Sequence, residues 1–199
     1  MNIGIIGTGQ VGRTLATKLA ALGHQVCVAN SRGPESVAEI LGAQAANLTP
    51  CPTSETLKCA VIFLTVPWTK VEEVLAAHTP EVNQILVDAT NIFLTYPPEA
   101  TVADLKGDSG SEIIARAAPK ARVVKAFNTL SFDMMFSPVP EGMKRVLFVA
   151  GDEDDATATV STLIEELGLH PVLLGSLAQA GRQMELGGPL SALNLLKPS

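Results

Sequence analysis

Three glycines stand in the pattern Gly7-Thr8-Gly9-Gln10-Val11-Gly12, directly after the apolar run Asn2 to Ile6. That run predicts a strand. Val11, Leu15, Leu19 and Leu22 follow at three- and four-residue spacing and predict a helix over Val11 to Leu22. A glycine loop between strand and helix has its own chemistry. Gly7 permits the tight turn, Gly9 lets backbone approach an anion, and Gly12 lets helix and strand pack closely. The free amides that open the helix, around Thr8, Gln10 and Val11, then suit a pyrophosphate. The plainer reading is a strand-to-helix turn that binds nothing.

The second predicted strand, Gln25 to Ala29, ends in Asn30-Ser31-Arg32. A dinucleotide site selective for NAD places an acid about 20 residues beyond the glycines, on the ribose hydroxyls. No acid stands here. Ser31 offers a hydroxyl and Arg32 a planar fork of donors, which together fit a 2′-phosphate. The tip therefore predicts NADP(H) as cofactor; the alternative is a solvated Ser-Arg turn.

These residues need a sheet to carry them. Short β-branched runs alternate with helical stretches: strands at 60–66, 85–89, 122–127, 144–150 and 171–174, helices at 35–41, 53–58, 71–77, 111–117 and 155–167. Residues 42–45 suggest a brief third strand, and 91–110 and 128–142 read as loops. The order predicts an α/β fold, a doubly wound parallel sheet with right-handed crossovers. The expected division is a dinucleotide-binding domain over 1–175 and a short helical tail over 176–199, a substrate-side cap or a dimer contact.

Ligands of such sheets lie at the carboxyl ends of the strands. Val66, Pro67 and Trp68 follow one strand; Trp68 either covers the cofactor or packs in the core. Asp88, Ala89 and Asn91 end the next, Asp88 being equally suited to capping a turn. Ala126 leaves room for a ring, and Asn128 is placed to bond cofactor or substrate. No acid, base or nucleophile stands out for catalysis. His24, His78 and His170 read as structural or solvated. The run Asp152 to Asp155 suits a helix start without a metal, and no metal site is expected. Direct hydride transfer between two held rings needs little side-chain proton chemistry.

The 199 residues are 47% hydrophobic and 17% charged, with a formal charge of −6, which opposes a nucleic-acid partner and disorder. No apolar run reaches the ~18 residues of a membrane span. Cys27, Cys51 and Cys59 form an odd, unpatterned set, read as reduced thiols. A cytoplasmic protein is expected, with a small-molecule redox acceptor as partner.

The segments IGIIGTGQVG, NSRG, LTVPW, VDATN, RVVKAFNT, FVAGD and GRQMELGGPLSALNLL, spread over nearly the whole chain, resemble the NADPH-dependent coenzyme F420 (deazaflavin) reductase family. That family sits among pyrroline-5-carboxylate-reductase-like NADP-binding oxidoreductases, and related modules occur in membrane metalloreductases. The resemblance implies hydride transfer between NADP(H) and coenzyme F420 or a flavin-like acceptor, in a homodimer. It implies Thr8 to Val11 on the pyrophosphate, Ser31 and Arg32 on the 2′-phosphate, and Trp68, Asn91 and Ala126 beside the ribose and nicotinamide. Asn128, Leu130 and Met184 would line the acceptor side. Alternatives are a quinone or ferric reductase, and a non-catalytic NADPH sensor using the Phe132 to Phe136 stretch as its contact. Imine and hydroxy-acid reductases usually need a large second domain, which 176–199 does not supply.

Overall fold

The computed structural model describes residues 1–42, 46–78 and 80–199. Its first unit follows from the residue pattern. Asn2–Ile6 (β1) runs into the glycine loop, and Gln10–Ala21 (α1) buries Leu15, Ala16, Leu19 and Ala20 against the sheet. The helix stops at Gly23, whose φ of 89° is open to glycine at little cost; its amide bonds the Ala20 carbonyl. Gln25–Ala29 (β2), Pro34–Leu41 (α2), Leu48–Pro50 (β3), Thr53–Thr56 (α3) and Val61–Leu64 (β4) come next. The brief strand expected at 42–45 falls largely outside the described residues, at 43–45; the third strand is at Leu48–Pro50.

Trp68–Ala77 (α4), Ile85–Asp88 (β5), Gly110–Ala117 (α5), Arg122–Lys125 (β8), Phe132–Met135 (α6), Met143–Gly151 (β9), Asp154–Glu166 (α7), His170–Leu173 (β10), Leu177–Met184 (α8) and Leu196–Pro198 (β11) complete the main body. Between β5 and α5 lies a separate hairpin, Phe93–Thr95 (β6) with Thr101–Val102 (β7). Residues 91–110 are thus not wholly a loop. Thr95 builds the hairpin locally: its hydroxyl lies 2.6 Å from the Glu99 carbonyl oxygen and accepts from the Thr101 amide at 3.0 Å.

The strand order is β10-β9-β8-β5-β4-β1-β2-β3, parallel from β3 to β8. The sheet is mostly parallel, as expected, and departs from that at one end. β9 meets β8 antiparallel, Val124 opposite Gly151, and β10 then runs parallel to β9. A parallel return needs a long crossover, normally a full helix. The link from β8 to β9 holds only the four-residue α6, which packs on α1.

Two cores sandwich the sheet. One joins α1, α2, α6 and α7 to its first face; the other joins α4, α5 and α8 to the opposite face. All four residues of β4 are buried, each apolar side chain contributing about 1.5–3 kcal/mol. Phe132 and Met135 sit in the first core and Lys18 lies over the Phe136 ring, so most of the Phe132 to Phe136 stretch is packing, with Met134 exposed. The tail is integral as well. α8 buries Leu177, Ala180, Gly181 and Met184, and β11 pairs antiparallel with β9. A Cβ at Gly181 would strike the Ser109 side chain, which is how closely α8 approaches α5.

The cysteines also depart from expectation. Cys27 and Cys51 form a disulfide, with Cα atoms 5.7 Å apart, joining β2 to the residue after β3. Parallel pairing brings them together, with the Cys51 amide bonded to the Val28 carbonyl; a separation of 24 residues carries no spacing signal. Cys59 is free and buried, and burial, helped by Glu55, pushes its thiol up. Alkylation of the unfolded, unreduced chain should label one thiol by intact mass, and three after reduction. Three before reduction would restore the fully reduced reading.

Candidate functional site

A cleft of about 1030 Å³ runs along the carboxyl ends of β2, β1, β4 and β5. Its lining follows the strand order. Asn30, Ser31 and Arg32 come from the end of β2; Gly7 to Val11 from β1; Thr65, Val66 and Pro67 from β4; Ala89, Thr90 and Asn91 from β5. At about 4.8 Å per strand, the three steps from β2 to β5 span roughly 14 Å. An extended ligand would lie across them.

The glycine loop has the geometry its spacing calls for. Gly7 has φ 118°, and a Cβ there would strike the Thr65 carbonyl. A Cβ on Gly9 would meet nothing, so that position opens onto the cleft. A Cβ on Gly12 would collide with the Gly7 carbonyl oxygen, so Gly12 packs under the loop rather than lining it. Thr65 fixes the loop from below, its hydroxyl donating to the carbonyls of Ile6 at 2.9 Å and Gly7 at 3.2 Å. The first turn of α1 has no side-chain cap and no acid. Its amides and the helix dipole therefore favour an anion at this point.

At the β2 end, Asn30 organises the tip. Its amide donates to Thr8 Oγ1 at 3.1 Å, and its Oδ1 accepts from the Arg32 amide at 2.8 Å. Ser31 and Arg32 are exposed, and among the described residues the Arg32 guanidinium pairs with no carboxylate. A free, planar cation beside a hydroxyl fits a phosphate monoester.

Other expected residues lie behind this wall. Trp68 opens α4 and packs half-buried with the second core, its ring edge against Gly110. Ala126 is fully buried. Asn128, Leu130 and Met184 are buried, Leu130 in the first core and Met184 in the second, and none lines the cleft. Asn128 Nδ2 donates to the Met184 carbonyl at 2.7 Å, and Asn91 Nδ2 to the Asn128 carbonyl at 3.0 Å. Of Asn91, Asn128 and Met184, it is Asn91 that lines the cleft. His24 is buried against Glu166, 2.9 Å away, whereas His78 is exposed and lines the cleft.

Beneath Ala89 and Ala126 lies a charge cluster that the sequence reading missed. Lys125 Nζ is 3.0 Å from Asp88 Oδ2 and 3.4 Å from Glu185 Oε1; Lys125 and Asp88 are fully buried and Glu185 nearly so. Burial opposes ionisation of Asp88, but Lys125 and the hydroxyls of Ser111 and Thr90 outweigh it and hold the carboxyl low. Burial likewise opposes the charge on Lys125, yet Asp88 and Glu185 raise it. Glu185 is pushed up, by burial first and by the charge of Asp88, against the pull of Lys125. Asp88 and Lys125 each end an apolar strand, ILVD and RVVK, and pair in register. Opposite charges at the same step of two strands were the available signal; Glu185 had none. Asp88 is thus part of a buried ion cluster as well as the acceptor of the Thr90 turn amide at 2.9 Å.

Known proteins place this architecture. Residues 2–92 match the model of the family described as NADP oxidoreductase, coenzyme F420-dependent. The structure of the hypothetical protein SMa0349 from Sinorhizobium meliloti is 36% identical, covers 99% of this chain and 96% of that one, and superimposes with a TM-score of 0.89. A candidate F420-dependent NADP-reductase from Arthrobacter sp. FB24 is 28% identical over 92% of this chain and 89% of that one, with a TM-score of 0.78. Over its first half the chain thus resembles the coenzyme F420-dependent NADP oxidoreductases. The matched family is described as one of NADP oxidoreductases, and the mostly parallel sheet with helices on both faces is a Rossmann-like fold. Metalloreductase STEAP3 of Rattus norvegicus is also similar, 31% identical over 92% of this chain. The chain spans about a third of the length of the curated relatives it matches. Among the described residues no helix is long and apolar enough to cross a membrane.

Proposed function

We propose that the cleft binds NADPH in extended form and that the protein passes hydride from it to a deazaflavin or flavin-like acceptor. The observation that carries this is the order of chemical features along the sheet edge. A free arginine and a serine stand at one end, an uncapped helix start in the middle, and small or amide residues at the other. In this reading Ser31 and Arg32 hold the 2′-phosphate, the amides of Gly9, Gln10 and Val11 hold the pyrophosphate, and Val66 and Pro67 bound the ribose. Ala89 leaves space at the reacting end, and Asn91, fixed through Asn128 and Met184, presents its amide there. NADPH supplies a hydride when bound, and the acceptor ring takes up those two electrons with one further proton from water. The chain's own part is to orient the two rings and keep the cofactor's charges satisfied. Similarity to the metalloreductases favours a ferric chelate as the second reading.

The test is consumption of NADPH, followed by loss of dihydronicotinamide absorbance, with deazaflavin, flavin, quinone and ferric chelate in turn. Turnover with the ring acceptors and preference for NADPH over NADH is the expected result. NADPH binding without turnover on any of them would refute the assignment of the acceptor class.

A further inference from the structure

We propose that the Cys27–Cys51 disulfide is a redox-active site, opened by a dithiol reductant, and that its state sets how tightly the cleft holds NADPH. This rests on reading the cleft as the NADPH site. β3 ends the strand order and pairs with β2 over three residues, Cys27 opposite Thr49. Cys51 is the first residue beyond it. Pro52, Thr53 and Ser54 follow and line the cleft on the side where β2 delivers Ser31 and Arg32.

This wall is a short span between two anchors. At its far end Gln84 Nε2 donates to the Cys59 carbonyl at 2.8 Å. At its near end the Cys51 amide donates to the Val28 carbonyl at 2.8 Å, and the disulfide ties the same residue to β2. Between them lies only the four-residue α3, where the Thr56 hydroxyl donates to the Pro52 carbonyl at 3.1 Å. Backbone bonds of a short edge strand open at little cost, whereas a covalent link does not. Opening the disulfide therefore weakens one anchor, and cofactor binding must then order the wall.

The bond can be reached without entering the cleft. Cys27 and Cys51 line a second cavity of about 440 Å³, toward the amino ends of β1 and β2, with Asn2 and Gln25 on its wall. Cys27 is half-buried and Cys51 buried, so an incoming thiolate meets the Cys27 sulfur. The S–S bond breaks as the reductant bonds to Cys27, and Cys51 leaves as a thiolate that takes up a proton. The reductant's second thiol then displaces Cys27. The dithiol ends as a disulfide, and the chain has gained two electrons and two protons. Each new thiol finds an acceptor in place: the Thr49 carbonyl is 3.5 Å from the Cys51 sulfur, and the Thr56 hydroxyl 3.6 Å from that of Cys27. The reduced residues keep their places in the sheet, so the change is reversible.

The experiment titrates the full chain with NADPH, read by fluorescence, before reduction, after dithiothreitol treatment and after reoxidation. The reduced chain should bind about tenfold more weakly, the cost of ordering one or two wall side chains on binding. Reoxidation should restore the native affinity. Cys51→Ala should bind at the weak value with or without dithiothreitol, and Cys59→Ala should respond as the native chain does. Circular dichroism of each form reports intact folding. Equal NADPH affinity in the oxidised and reduced native chain would overturn the proposal. So would a folded chain whose disulfide stays closed in dithiothreitol, read by intact mass after alkylation. Failure of both forms to bind NADPH would instead overturn the reading on which the proposal rests.

Discussion

Arg32→Asp is expected to weaken NADPH binding about 100-fold while leaving NADH binding unchanged or improved. The side chain is exposed and, among the described residues, unpaired with a carboxylate, so its removal costs the fold little. Its value lies in the phosphate. A charge-assisted bond contributes about 1.5–3 kcal/mol, and a guanidinium can make two. Aspartate removes that attraction and adds repulsion of a dianion. A loss near 2.7 kcal/mol is about 100-fold in Kd. Fluorescence titration with both cofactors measures it. An unchanged NADPH affinity would mean the 2′-phosphate is held elsewhere, and the β2 tip would lose its assignment.

Lys125→Met should destabilise the protein by about 3–5 kcal/mol, the usual cost of leaving buried carboxylates without their partner. That is a large fraction of the 5–15 kcal/mol typical of a native domain. The geometry makes this site severe, because one ammonium serves two acids, Asp88 at 3.0 Å and Glu185 at 3.4 Å. The pH dependence follows from the directions of the shifts. Asp88 is held low in the fold, so its contribution is present above its ordinary value of 3.8 and is lost as pH falls through the lower, folded value. Lys125 is held high, so its contribution is present below 10.5 and is lost as pH rises through the higher, folded value. Glu185 is held high and works the other way: above 4.5 its ionisation opposes folding. In Lys125→Met both acids lose their countercharge and favour the protonated form. The variant should therefore gain stability as pH falls from about 7.5 to about 5, whereas the native chain changes little. Urea unfolding at the two pH values decides. Adding Asp88→Asn should recover part of the loss, since the two residues act as one unit.

Much of the first half of the site was legible before any coordinates. Gly7, Gly9 and Gly12 lie within six residues, between an apolar strand and a periodic helix, so adjacency alone dictates the turn, the open amide and the close contact. Asn30-Ser31-Arg32 follows a strand whose end is plain in the sequence, and a parallel sheet brings strand ends to one edge. The pocket wall formed by Val66, Pro67, Ala89 and Asn91 follows from the same rule.

The rest depends on partners far apart in the chain, for which no local spacing exists. Cys27 meets Cys51 because β2 and β3 are neighbours. Lys125 meets Asp88 across 37 residues, and Glu185 meets Gly110 across 75. β9 reverses because its connection carries only a short helix on α1. Trp68, Ala126 and Asn128 were placed near the site by their order along the chain, and Leu130 and Met184 by the family resemblance. Burial in the two cores and under the tail decided which of them could be reached. Local turns, helix faces and strand ends were determined by the sequence itself, because their energetics are settled within a few residues. Charge pairing, exposure and the choice of cleft wall were decided by the tertiary structure, because a side chain's partner and its solvent are set only when distant segments pack.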